Sequence, residues 1–81
     1  VMAVVFFSGE LKSLAGEEQT RSEALTFRGI VEDLTLRYEN LSEALLLDMA
    51  IAIDGEIIHT PLLEPVGAES ELHFLYRISG G

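Results

Sequence analysis

Cysteine is absent from this 81-residue sequence, tryptophan is absent too, and proline occurs only twice. Without cysteine there is no disulfide framework, no thiolate metal site, no iron–sulfur cluster and no cysteine nucleophile. Basic side chains are also scarce: 5 Lys and Arg stand against 14 Asp and Glu, a formal net charge of −9. That balance repels phosphates of nucleic acids and anionic membrane surfaces, so neither partner is expected. No apolar run approaches the ~20 residues needed to cross a bilayer. The opening VMAVVFF lacks the basic region of a signal peptide, and a soluble cytoplasmic protein is the default expectation.

Catalytic groups are equally thin. The two histidines, His59 and His73, stand apart with no HExxH spacing, and no metal site is expected from them. Glu17-Glu18 reads as turn charge and Glu32-Asp33 as helix-start charge. Neither these pairs nor Glu69 and Glu71 reach the carboxylate density of a calcium loop. Ser8-Gly9 and Ser79-Gly80 have no GxSxG setting, and no phosphate-cradling glycine loop occurs. The chain therefore has no obvious catalytic residues of its own.

What is present is a chain that should fold. Its 48% hydrophobic content is too high for the disordered class, and its length suits one small domain over residues 1–81. Residues 2–7, apolar and rich in Val and Phe, predict a strand buried on both faces. Residues 10–15 carry Leu11, Leu14 and Ala15 at helical spacing and stop at Gly16. Residues 20–26 predict a half-exposed strand antiparallel to the first. Ile30, Val31, Leu34, Tyr38 and Leu41 make one face of the main helix, with Thr26 ahead of it, Gly29 at its start, Glu32 and Asp33 in its first turn and Asn40 at its exit.

Residues 41–47 read either as another short helical turn or as an irregular packed loop. Residues 49–53 and 56–59 flank Asp54-Gly55, the signature of a two-residue type I′ hairpin. Pro61 and Pro65 bracket a turn-rich connection, and Gly67 precedes a last strand from Glu71 or Leu72 to Ile78. A single sheet on one long helix satisfies this order, with the two terminal apolar strands parallel at its centre.

The end of the chain is the unusual feature. Ser79-Gly80-Gly81 follows directly on an apolar stretch, and a terminus without side chains can thread a narrow channel and present its carboxylate to another protein. In the last strand Phe74, Tyr76 and Ile78 alternate with Leu75 and Arg77, so one set faces the helix and the other is open to a partner. Phe74, Tyr76, Arg77, Ile78 and, in the first strand, Phe7 are the partner-interface candidates, with core packing the alternative for each.

Several segments together carry a resemblance that covers nearly the whole chain: AVVFF followed by LKSLAG, VEDL in the main helix, MAIAIDGEII as the hairpin, and HFLYRI running into SGG. The chain resembles the ubiquitin-like sulfur carriers, in particular the small subunit of molybdopterin synthase. That resemblance implies an α+β, β-grasp fold, a mixed sheet of about five strands packed on one main helix. It implies no stably bound cofactor. A ubiquitin-activating-type enzyme would use ATP and magnesium to adenylate Gly81, and sulfur from a persulfide donor would convert it to a thiocarboxylate. Gly80 and Ser79 would insert with Gly81 into a larger molybdopterin synthase-type catalytic subunit. Members of the molybdopterin type commonly carry Gly-Asp before the last strand and Pro-Pro before the tail, where this chain has Gly67-Ala68-Glu69 and Tyr76-Arg77. Three alternatives therefore stand beside that pathway: a carrier for thiamine or tRNA thiolation, a ubiquitin-like protein modifier, and a non-covalent interaction domain.

Overall fold

The computed structural model describes residues 2–59 and 64–75. In chain order the elements are β1 (Ala3–Phe6), α1 (Glu10–Ala15), β2 (Gln19–Ser22), α2 (Phe27–Arg37), α3 (Glu43–Leu47), β3 (Ala50–Ile53), β4 (Glu56–Ile58) and β5 (Glu71–Leu75). The strands form one five-stranded sheet in the order β2-β1-β5-β3-β4. β1 and β5 run parallel, with Val5 opposite Leu72, and every other neighbouring pair is antiparallel. The first and last apolar segments therefore do meet inside the sheet, and the chain between them supplies the crossover that a parallel pair requires.

β1 alternates between buried and half-buried residues. Ala3 and Val5 face the helix, while Val4 and Phe6 lie on the opposite face of the sheet. The expected burial on both faces is corrected by this: only one face of the sheet carries helices, and a continuous apolar run does not by itself distinguish one covered face from two. Phe7, just past the strand, returns to the core at 4% exposure.

α2 begins at Phe27, earlier than the apolar spacing from Ile30 suggests. Thr26 is its N-cap, accepting a hydrogen bond on Oγ1 from the Gly29 N–H at 3.1 Å. The Phe27 N–H, an orphan donor of the first turn, reaches the Glu64 carbonyl at 2.9 Å, beside an isolated bridge between Thr26 and Pro65. Glu32 and Asp33 consequently lie in mid-helix, and the first turn holds no acidic residue. Phe27, Ile30, Val31 and Leu34 form the buried stripe of α2. They pack in one cluster with Val5, Ile51, Leu72 and Phe74 of the sheet, and the Phe27 and Phe74 rings meet at 5.8 Å between centroids. Full burial of side chains of this kind contributes roughly 1.5–3 kcal/mol each.

The short elements follow their local chemistry. α1 ends on Gly16, whose φ of 78° is left-handed and whose N–H closes on the Lys12 carbonyl at 2.8 Å. Residues 41–47 resolve into α3, capped by the Ser42 side chain and anchored by buried Leu46. At the β3–β4 turn both Asp54 and Gly55 take positive φ, 50° and 89°, as a type I′ hairpin demands. The second strand is β2, shorter and earlier than residues 20–26, because Thr26 is needed as a cap. The last strand is described to Leu75. The predicted connection at residues 60–63 and the strand's continuation to Ile78 lie outside the described residues. No helix among the described residues is long and apolar enough to cross a membrane.

Candidate functional site

β5 is the element that leads to the tail. It is the central strand, flanked by β1 and β3, so the chain reaches Leu75 from the best-supported part of the sheet. Leu72 and Phe74 point into the core, at 0% and 2% exposure, while Glu71 and His73 are exposed and Leu75 is half-buried on the other face. This settles which set of the alternation faces the helix as far as Leu75. Of the interface candidates, Phe74 packs against Phe27, and Phe7 packs edge-on to Tyr38 at 5.6 Å. Both take the core alternative and are corrected as surface residues. Tyr76, Arg77, Ile78, Ser79, Gly80 and Gly81 lie outside the described residues.

The surface that surrounds the end of β5 is the sheet face away from the helices. The registers place Val4 and Phe6 of β1, His73 and Leu75 of β5 and Ala52 of β3 on it, with Ile57 of β4 at its edge. Ile57 is 58% exposed. Phe6 and His73 stack face to face, 4.4 Å between centroids and 5° between planes. Sequence reasoning missed Val4, Phe6 and Ile57 here. The signal lay in their one-residue offset from Ala3, Val5 and Ile58, which only a known core face can orient.

Beside this face, the loop after β1 and the start of β2 border an open groove of about 450 Å³ that includes Phe6, Lys12, Glu18 and His73. Lys12 donates to Glu18 across its surface at 2.9 Å. That hydrogen bond and the Lys12 charge hold the Glu18 carboxyl below its ordinary range.

A second polar cluster joins α2 to β2. Arg37 donates from Nε and Nη2 to the two oxygens of Asp33, at 2.9 and 3.1 Å, from Nη1 to Thr20 Oγ1 at 3.0 Å, and from Nη2 to the Arg21 carbonyl at 2.7 Å. Ser22, almost fully buried, donates to Asp33 at 2.7 Å. Burial pushes the Asp33 carboxyl up, but hydrogen bonds from Ser22 and Arg37 and the Arg37 charge outweigh it and hold the pKa below its ordinary value. Tyr38 donates to Glu17, and its phenol is pushed up, first by burial and then by that bond.

Every carboxylate in this cluster is engaged in holding secondary structure together. Among the described residues no buried side-chain polar atom lacks a partner, and no three His, Asp or Glu side chains converge as a metal would need. The described part of the chain thus has an outer sheet face not covered by helices and a supported strand that precedes the tail in sequence, and no constellation of acid, base and nucleophile among the described residues.

No family model matches the chain, and no curated protein matches it in sequence. Solved structures do match. The solution structure of small archaeal modifier protein 1 from Methanosarcina acetivorans superposes with a TM-score of 0.77 at 18% identity, covering 100% of this chain and 97% of that one. The crystal structure of SAMP1 from Haloferax volcanii gives 0.74 at 18% identity and covers both chains completely. The fold is the ubiquitin-like β-grasp. A third structure, the HVO 2177 protein of Haloferax volcanii, matches at 0.67 and 11% identity over 100% of this chain and 87% of that one. At such identities the likeness establishes the fold, and it agrees with the mixed sheet on a main helix expected from the sequence.

Proposed function

We propose that this β-grasp chain is a carrier that works through the carboxylate of Gly81. The observation that carries the reading is the position of β5: the central strand of the sheet, locked into the core by Leu72 and Phe74, leads six residues later to Gly81. A well-supported strand followed in the sequence by residues without side chains is suited to delivering a reactive group into a partner's channel. With no catalytic constellation among the described residues, the chemistry falls to the terminus.

A carboxylate is a poor acyl donor because oxide is a poor leaving group. A ubiquitin-activating-type enzyme would overcome this by letting a Gly81 oxygen attack the α-phosphorus of ATP, with loss of pyrophosphate, to give the acyl adenylate. The terminal sulfur of a persulfide then attacks the acyl carbon and AMP departs. Cleavage of the remaining S–S bond by a thiol leaves a thiocarboxylate. Its sulfur is nucleophilic, and the finer reading places its delivery in molybdopterin synthesis, inside a larger catalytic subunit into which Ser79, Gly80 and Gly81 insert. Tyr76, Arg77 and Ile78 remain interface candidates, and the outer sheet face formed by Val4, Phe6, His73 and Leu75 joins them as a further one. No ATP, magnesium or other cofactor needs to reside on the carrier.

A second reading has its own support. Two of the three matching structures are of small archaeal modifier protein 1, and this chain has Tyr76-Arg77 where molybdopterin-type carriers commonly have Pro-Pro. In that reading the activated Gly81 acyl group is attacked by a lysine of another protein. Intact mass measurement and peptide mapping of protein taken from its native cell separate the two. Sulfur in place of one terminal oxygen supports the carrier. An isopeptide joining Gly81 to a lysine of another protein supports the modifier. A free carboxylate with neither product, in cells expressing the activating enzyme under sulfur-replete conditions, removes both.

A further inference from the structure

The sheet has two edges, and one of them is closed by a side chain. In the β1–β2 ladder the Phe7 N–H donates to the Glu18 carbonyl at 2.8 Å, so by alternation the pairs Val5–Thr20 and Ala3–Ser22 are hydrogen-bonded, and Gln19 and Arg21 turn their N–H and C=O groups outward. An outward row of this kind is a template for another strand. Here the Arg21 carbonyl is already taken by Arg37 Nη2 at 2.7 Å, where the N–H of an added strand would sit. The guanidinium is fixed by both oxygens of Asp33, by Thr20 and by the Tyr38 ring 5.5 Å away, and Asp33 is itself held by buried Ser22.

We propose that Arg37 guards the β2 edge and prevents it from pairing with a second copy of the chain. The second copy is the occupant because the outward row is self-complementary. Antiparallel pairing about a two-fold axis at Thr20 sets Gln19 of each copy opposite Arg21 of the other. Each pair exchanges both backbone hydrogen bonds, and within β2 no like charges stand directly opposite. An open groove of about 530 Å³ alongside, lined in part by Met2, Ala24 and Arg37, gives the added strand room. The inference is independent of the carrier reading, since it concerns the β2 edge and neither Gly81 nor the central strand β5 that precedes it.

The test is sedimentation equilibrium of the full chain over a wide concentration range, at low and at raised salt. Wild type is expected to stay monomeric. Arg37→Ala and Arg37→Met, the latter retaining an apolar stem against Tyr38, are expected to self-associate at least about tenfold more strongly. The effect should grow with salt, because screening relieves repulsion between copies whose formal net charge, −9 in the wild type, becomes −10 once Arg37 is replaced. Adding Arg21→Pro to either variant should restore the monomer: its N–H points away from β1, so proline removes the edge donor and no internal ladder bond. Should Arg37→Ala fail to fold, Arg37→Met decides. Folded Arg37 variants that remain monomeric at every concentration and salt overturn the proposal. So does association that Arg21→Pro leaves unchanged, or a wild type that already pairs through β2.

Discussion

Replacing Phe74 by Ala separates a core role from a docking role at the strand that leads to the tail. The ring is 2% exposed and meets Phe27, which is fully buried, at 5.8 Å. Truncating a buried Phe to Ala costs about 3–5 kcal/mol through lost transfer energy and the cavity left behind. A chain of 81 residues has a total stability of roughly 4–12 kcal/mol, so this one change removes a large share of it. With a urea dependence of about 1 kcal/mol per molar for so small a domain, the midpoint should fall by about 3 M or more. The thermal midpoint should drop by at least about 12 °C. Leu at the same position keeps much of the apolar volume and should cost roughly 1.5 kcal/mol or less. Ile57→Ala, at an exposed position on the outer face, should stay within about 0.5 kcal/mol of wild type. Urea and thermal unfolding followed by circular dichroism measure all three. A Phe74→Ala protein within about 1 kcal/mol of wild type would refute the packing described for β5 and return Phe74 to the interface candidates.

Two further changes test the polar cluster and the hairpin. The Asp33 carboxyl has a folded pKa below its ordinary value, so its stabilisation is present above the unfolded pKa of about 3.9 and is lost as pH falls through the folded value. Asp33→Asn should therefore cost about 1 kcal/mol at neutral pH, a figure limited by the partial exposure of both Asp33 and Arg37. The gap from wild type should close below about pH 4 in urea titrations run across pH, whereas a gap that is constant with pH would contradict the assignment. Gly55→Ala meets no atom within 4 Å but must hold φ at 89°, so its cost is backbone strain alone, about 1 kcal/mol. Its urea dependence should match wild type, and an unchanged stability would argue against the type I′ turn.

Much of the fold was legible because local chemistry and tertiary packing agree. Gly16, Asp54-Gly55 and the Leu11, Ile30, Val31 and Leu34 spacings each point to the element that forms, and two distant apolar segments in a chain this small had to pair at the sheet centre. What was not legible depended on knowing the covered face. Phe6 and Phe7 are neighbours of one kind, yet one lies on the outer face against His73 and the other in the core against Tyr38. Phe27 was missed as the first residue of the main helix because its burial comes from β5, through Phe74, and from the Glu64 carbonyl that takes its N–H, contacts far away in sequence. Glu32-Asp33 looked like helix-start charge for the same reason: with the start moved to Phe27, Asp33 becomes the acceptor for Ser22 and Arg37. At the candidate site, the Gly-Gly tail was read from sequence alone, whereas the face formed by Val4, Phe6 and Leu75 required the strand registers.

The central claim, that Gly81 is the reactive position, is tested most directly by incubating the purified chain with its cognate activating enzyme, ATP, magnesium and a persulfide donor, then measuring intact mass. The account predicts a mass gain equal to the difference between sulfur and oxygen, located by fragmentation at Gly81, dependent on ATP and absent when Gly81 is deleted. A mass that remains that of the free carboxylate under these conditions, or sulfur found at any other residue, would contradict it.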